Sequence, residues 1–133
     1  MNYNRRPRIF VLDDQALVAN SIAQVLELRG YETYPTYTPT GVLDLTSEVT
    51  PDLLITDVSL GPNTINGFDL AIYFERFFPE CRVVLISGDP NSIELDRRAR
   101  SLGHHFLLLQ KPVSPETLLE TIGKQLAHLQ RAA

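Results

Sequence analysis

The residues able to do chemistry in this chain gather at the ends of aliphatic runs. Asp13 and Asp14 follow the run at 9–12, Asp57 follows 53–56, Ser87 closes 83–87, and Lys111-Pro112 comes just after 106–109. In an open α/β sheet the carboxyl ends of parallel strands border the crevice where ligands bind, at the point where strand order reverses. With an order of 2-1-3-4-5 the first and third strands are neighbours, and Asp13, Asp14 and Asp57 share one pocket. Three carboxylates about 5 Å apart repel by about 3 kcal/mol per pair at an effective dielectric of about 20, so the pocket needs compensating positive charge. A hard divalent cation supplies it, and oxygen ligands with room for water suit magnesium, which joins one or two carboxylates to a phosphate oxygen. Lys111 adds a second positive charge and Ser87 a hydroxyl donor. Phosphoryl transfer asks for these parts: a nucleophile in line, here the Asp57 carboxylate, and groups that neutralise the equatorial oxygens.

Positioning those side chains requires a sheet. The four runs are rich in β-branched and large aliphatic residues with no polar alternation, the pattern of parallel strands covered on both faces. A weaker run at 32–34, followed by Pro35, suits an edge strand because proline lacks the ladder donor. Helical stripes fill the intervals: Val18, Ile22, Val25 and Leu26; Val42, Leu45 and Val49 after Thr38-Pro39; Leu70, Phe74 and Phe77; and Leu118, Ile122, Leu126 and Leu129 after Ser114-Pro115. The segment 91–102 is the weakest of them, its apolar anchors Ile93, Ala99 and Leu102 being outnumbered by charged residues, and it should be the least firmly packed helix. Right-handed crossovers between five strand-helix units give a doubly wound α/β sheet.

The 133 residues, 44% hydrophobic, fit one globular domain and leave no room for a second, effector-type domain. A net charge of -4 argues against direct binding of nucleic acid, which needs clustered Lys and Arg. Cys81 is the single cysteine, so neither an intramolecular disulfide nor a cysteine-rich metal site can form, and it reads as a small buried hydrophobe. No apolar run approaches the roughly 18 residues of a membrane span, and the start Met1-Asn2-Tyr3-Asn4-Arg5-Arg6 leads into no signal-peptide core. A soluble cytoplasmic protein, with no membrane partner, is the expectation.

The residues Ile9-Phe10-Val11-Leu12-Asp13-Asp14, Leu53-Leu54-Ile55-Thr56-Asp57, Val84-Leu85-Ile86-Ser87-Gly88 and Lys111-Pro112 together closely resemble the receiver domain of two-component response regulators, over nearly the whole chain. The resemblance implies a flavodoxin-like, five-stranded parallel sheet of order 2-1-3-4-5 with helices on both faces. It implies Asp57 as phosphoacceptor and Asp13, Asp14 and Asp57 as a magnesium site completed by the backbone carbonyl of Ser59. Ser87 and Lys111 would bind the phosphoryl group, which would come from a sensor histidine kinase or a histidine phosphotransfer protein. Such a domain promotes its own phosphorylation and dephosphorylation and is a signalling module, not an enzyme for free substrates.

Two departures from the family pattern stand out. The loop from Asp57 to Asn66-Gly67 is about two residues longer than usual, and 103–111 about one residue longer. Leu108 therefore occupies the place three residues before Lys111 where the family shows Tyr or Phe, and Phe106 is a displaced candidate for the switch aromatic. Strand alternation favours Leu108 as passive packing in that slot.

Taken singly these residues mean little, since an Asp after a strand is often a helix cap and a lone Lys is usually solvated; the constellation carries the reading. His104-His105 and His128 lack a matching ligand pair and read as ordinary loop and helix residues, and Arg97, Arg98 and Arg100 as a solvated helix face. Two alternatives compete: a receiver-fold module regulated by binding alone, against which the complete set of polar residues argues, and an aspartyl-nucleophile phosphatase. The latter usually carries a second Asp two residues after the nucleophile, where this chain has Ser59, and it needs a cap domain. A flavodoxin that binds flavin is weaker still, because two carboxylates after the first strand repel a phosphate.

Overall fold

The computed structural model describes residues 5–131; Met1 to Asn4, part of the start read as lacking a signal peptide, lie outside them. Strands and helices alternate: β1 Arg8–Leu12, α1 Ala16–Glu27, β2 Glu32–Thr36, α2 Pro39–Thr46, β3 Leu53–Asp57, α3 Gly67–Phe77, β4 Arg82–Ser87, α4 Ser92–Ser101, β5 Leu107–Gln110, α5 Pro115–Gln125 and the short α6 Ala127–Arg131. The sheet is parallel with order β2-β1-β3-β4-β5, the doubly wound flavodoxin-like arrangement expected.

Alternation along each strand fills two cores. Ile9, Val11, Leu53, Ile55, Val84 and Ile86 face one way, onto Ala19, Ala23 and Leu26 of α1 and Leu118 and Ile122 of α5. Phe10, Leu12 and Leu54 face the other way, onto Val42 of α2 and Leu70 and Phe74 of α3. Leu85 joins this second side beside Val58, Phe68, Ala71, Ala99 and Phe106. Pro35 falls inside β2, opposite Val11, and is tolerated because β2 is an edge strand. Thr38 and Ser114 cap α2 and α5 through their side chains, accepting from the Gly41 and Thr117 amides, each with proline in the first turn.

Four details differ from the sequence expectation. In α3 the stripe runs through Leu70, Phe74 and Phe78, at a spacing of i, i+4 and i+8, so Phe77 turns outward and is 55% exposed, its ring 4.7 Å from that of Tyr73. In α4, Ile93 and Leu102 are exposed; Ser92 and Ala99 are buried, and the half-buried Leu95, not Ile93 or Leu102, joins Ala99 as apolar anchor. The fifth strand begins at Leu107, placing Phe106 just before it, and the last helical stripe is broken at Leu126 into α5 and α6. Cys81 is buried as expected, and burial pushes its thiol up to about 12.

The outward turn of Phe77 gives a direct test of the α3 register. Phe74→Ala should cost about 3–5 kcal/mol through lost burial and a cavity, whereas Phe77→Ala should change stability by about 0.5 kcal/mol or less, both read from urea unfolding.

Candidate phosphoryl-acceptor site

Parallel pairing brings the acidic residues together. Leu12 lies opposite Thr56, so the residues that follow, Asp13 and Asp57, emerge side by side at the carboxyl edge of β1 and β3. One carboxylate oxygen from each of Asp13, Asp14 and Asp57 lies within 4.8 Å of the others. Asp13 is 2% and Asp57 9% exposed, while Asp14 faces solvent. Asp13 Oδ1 accepts from the Gln15 amide at 2.9 Å, which turns the chain into α1 and fixes the carboxylate. This donor set, hard and oxygen-rich with one exposed member, fits a divalent cation that keeps part of its water.

Lys111 arrives from the end of β5. Its Nζ lies 3.2 Å from Asp13 Oδ2 and 3.2 Å from Asp57 Oδ2. The lysine stem runs beside Gly88, where an added Cβ would meet it in ordinary contact at 3.6 Å. The Lys111 amide donates to the Ser87 carbonyl at 2.8 Å, which ties the base of the lysine to β4.

Ser87, fully buried at the end of β4, holds its hydroxyl against the backbone of Asp89. Ser59 is exposed just beyond Asp57 and its amide donates to the Asp57 carboxylate. Phe106, 8% exposed, is packed into the core beside Ala99 and Leu85, and Leu108 lies half-buried against the same cluster. His104 pairs with Glu75 at 2.6 Å and stacks on Phe106, and Arg97 and Arg100 pair with Glu94 and Asp96 on the outer face of α4. None of these histidines or arginines joins the acidic pocket; among the described residues the three aspartates form the one cluster able to hold a metal.

Sequence reading placed Gly67 only at the end of the long loop after Asp57. A Cβ at this position would overlap the Asp57 carbonyl oxygen and lie 2.9 Å from Val58 Cα, and the Gly67 amide donates to the Val58 carbonyl at 2.8 Å. The first residue of α3 is thus pressed against the backbone of the acceptor, and the long loop before it closes on that contact. The Asn66-Asp69 capping box sets the helix start at this point, with Asn66 Oδ1 accepting from the Asp69 amide at 2.9 Å. The Asn66-Gly67 pair was visible in the sequence; the backbone it meets was not.

Burial raises the Asp57 carboxyl above its ordinary value of 3.8, and the neighbouring Asp13 charge adds to the rise; Lys111 and the Ser59 amide oppose it without cancelling it. Burial pulls Lys111 down, but Asp57 and Asp13 outweigh it and hold the ammonium above 10.5. Three carboxylates thus face a single ammonium in the free pocket.

The fold, and an acidic crevice at its carboxyl edge able to hold a cation, define a class: doubly wound α/β domains with their ligand crevice at the strand-order switch point. Within that class the chain belongs to the response regulator receiver domains, whose family model matches residues 9–123. It is 29% identical over 111 residues to the nitrogen assimilation regulatory protein NtrX of Azorhizobium caulinodans, an alignment covering 84% of this chain and 24% of that protein. The chain thus spans about a quarter of the curated relative it matches. Among solved structures, the signal receiver domain of an HD domain-containing protein from Pseudomonas fluorescens is similar at a TM-score of 0.84 and 26% identity, covering 96% of this chain and 99% of that one. The receiver domain of NtrX from Brucella abortus follows at 0.78 and 27%, covering 90% and 98%. The chain is a receiver domain of two-component signalling, a family of signalling domains that implies a phosphodonor such as a histidine kinase. No helix among the described residues is long and apolar enough to cross a membrane.

Two measurements probe this pocket. Gly67→Ala should lower stability by about 1–3 kcal/mol, the cost of forcing a group into packed backbone, measured by urea unfolding. Because the folded-state value of Asp57 is raised, its contribution to stability is present below pH 3.8 and lost as pH rises through the folded value. In chelator at neutral pH, Asp57→Asn should therefore melt higher than the wild type, with the gap closing as pH falls toward 4. An Asp57→Asn protein that melts lower at neutral pH would contradict this sign.

Proposed function

We propose that Asp57 accepts a phosphoryl group from a phosphohistidine of a sensor histidine kinase or histidine phosphotransfer protein. The observation that carries the reading is the Lys111 ammonium, 3.2 Å from both Asp57 and Asp13, at the mouth of a cluster of three carboxylates. A carboxylate oxygen of Asp57 attacks phosphorus; the new O–P bond forms as the P–N bond to the donor imidazole breaks, and the imidazole leaves with the electron pair. Lys111 turns from the carboxylates to pair with a phosphoryl oxygen, so its positive charge stays in the pocket. Ser87 offers its proton to a second oxygen. Water later attacks phosphorus, the Asp57 O–P bond breaks, inorganic phosphate leaves and the carboxylate is restored, so the domain promotes both its own phosphorylation and its dephosphorylation.

Asp13, Asp14 and Asp57, with the backbone carbonyl of Ser59, would hold Mg2+, which when bound neutralises charge on the phosphoryl oxygens. The exposed Asp14 leaves the approach to such an ion open to solvent. Residues 1–133 are read as one phosphoacceptor domain that works in the cytoplasm and switches a partner interface. Phe106 packs in the core and Leu108 fills the usual aromatic position without a polar atom, which supports Leu108 as passive packing.

Incubation with acetyl phosphate and magnesium should add a single acid-labile phosphate, seen by intact mass, and Asp57→Asn should remove it. Equal labelling of the mutant would place the acceptor elsewhere.

A further inference from the structure

The Ser87 hydroxyl is bonded to the backbone of Asp89, in the turn that leads into α4. Its Oγ accepts from the Asp89 amide at 2.9 Å and donates to the Asp89 carbonyl at 3.3 Å. That carbonyl also accepts from the Ser92 amide at 3.0 Å and the Ser92 hydroxyl at 2.6 Å. A carbonyl oxygen has two lone pairs, so the three donors crowd it, and the Ser87 bond is the longest and weakest. Ser92 is 1% exposed, and the Asn91 side chain makes no capping bond, so Ser92 fastens the start of α4. Ser92 and Ala99 are the residues that this helix buries.

We propose that Ser92 is a positioning residue for the phosphorylation response: through the Asp89 peptide it passes a movement of Ser87 to α4, independently of any aromatic side chain. The inference rests on phosphoryl acceptance at Asp57. A phosphoryl oxygen there is a charged acceptor, stronger than the carbonyl at 3.3 Å. As the Ser87 proton swings to it, the hydroxyl oxygen still accepts from the Asp89 amide, so the peptide follows Ser87. The Asp89 carbonyl, relieved of its third donor, keeps both bonds from Ser92 and draws the first turn along. Phe106 takes no part, because it is packed among Val58, Leu85 and Ala99 and lies outside this chain of bonds.

The test is hydrogen exchange across 91–102, with and without beryllofluoride and magnesium, in the wild type, Ser92→Ala, Ser92→Cys and Ser92→Thr, with acetyl phosphate labelling of the same samples. In the wild type and Ser92→Thr, exchange should change by about fivefold to tenfold, the worth of roughly one hydrogen bond. In Ser92→Ala it should change by less than about twofold, while labelling stays within about twofold of wild type. Ser92→Cys keeps the shape with a weak donor and should also be blunted, which covers the case in which Ser92→Ala does not fold. A full response in a labelled Ala or Cys variant overturns the relay, as does a lost response in a folded Ser92→Thr. A wild type that takes up no phosphate overturns the receiver chemistry beneath it, and the labelling arm tells these failures apart.

Discussion

A single ammonium shared by two buried carboxylates is the interaction around which this domain is arranged. Asp13 and Asp57 are almost out of water, and Lys111 reaches both at 3.2 Å. Burying charge is costly unless it is paired, and one lysine cannot fully pair two carboxylates with a third beside them. Burial raises the Asp57 carboxyl by more than Lys111 lowers it. That juxtaposition depends on the sheet order, because adjacent β1 and β3 bring Asp13 next to Asp57. Lys111 reaches them from the end of β5, its stem running beside Gly88.

Much of this was legible in the sequence for a physical reason. Strands covered on both faces show as aliphatic runs, and polar residues that end such runs are conspicuous. The edge position of β2 was marked by Pro35 in the same way. Errors arose where hydrophobicity is ambiguous by one residue. Phe77 and Phe78 are both aromatic, and only the angle at which α3 meets the sheet decides that Phe78 turns inward. Phe106 is as apolar and almost as buried as a strand residue, so composition could not place it before β5. In α4, Leu102 fits the inward spacing from Ala99, but the helix stops at Ser101 and the chain turns at Gly103, with φ of 92°, carrying Leu102 outward.

Contacts between distant backbones were not legible. Gly67 looks like any glycine after asparagine until the Asp57 carbonyl is found against it. Nothing in local spacing reports that approach, because the two residues are joined by a long loop whose shape is set at both ends by tertiary contacts. The left-handed Gly61, with φ of 107°, lies within that loop beside the exposed Asp14.

The weakness of α4 has a different meaning once its polar contacts are known. A helix held by apolar burial shifts only by opening a cavity or forcing overlap, at a cost that rises by about 24 cal/mol per Å³ of void. Hydrogen bonds to a crowded carbonyl can exchange partners with little change of volume. Phe106 is of the first kind, fixed among side chains of β4, α3 and α4. The contacts of Ser87 and Ser92 on Asp89 are of the second kind, buried yet oversupplied with donors at one oxygen. In this chain the turn leading into α4 is therefore held by polar bonds gathered on one carbonyl, whereas Ala99 further along the helix is held by packing against Phe106.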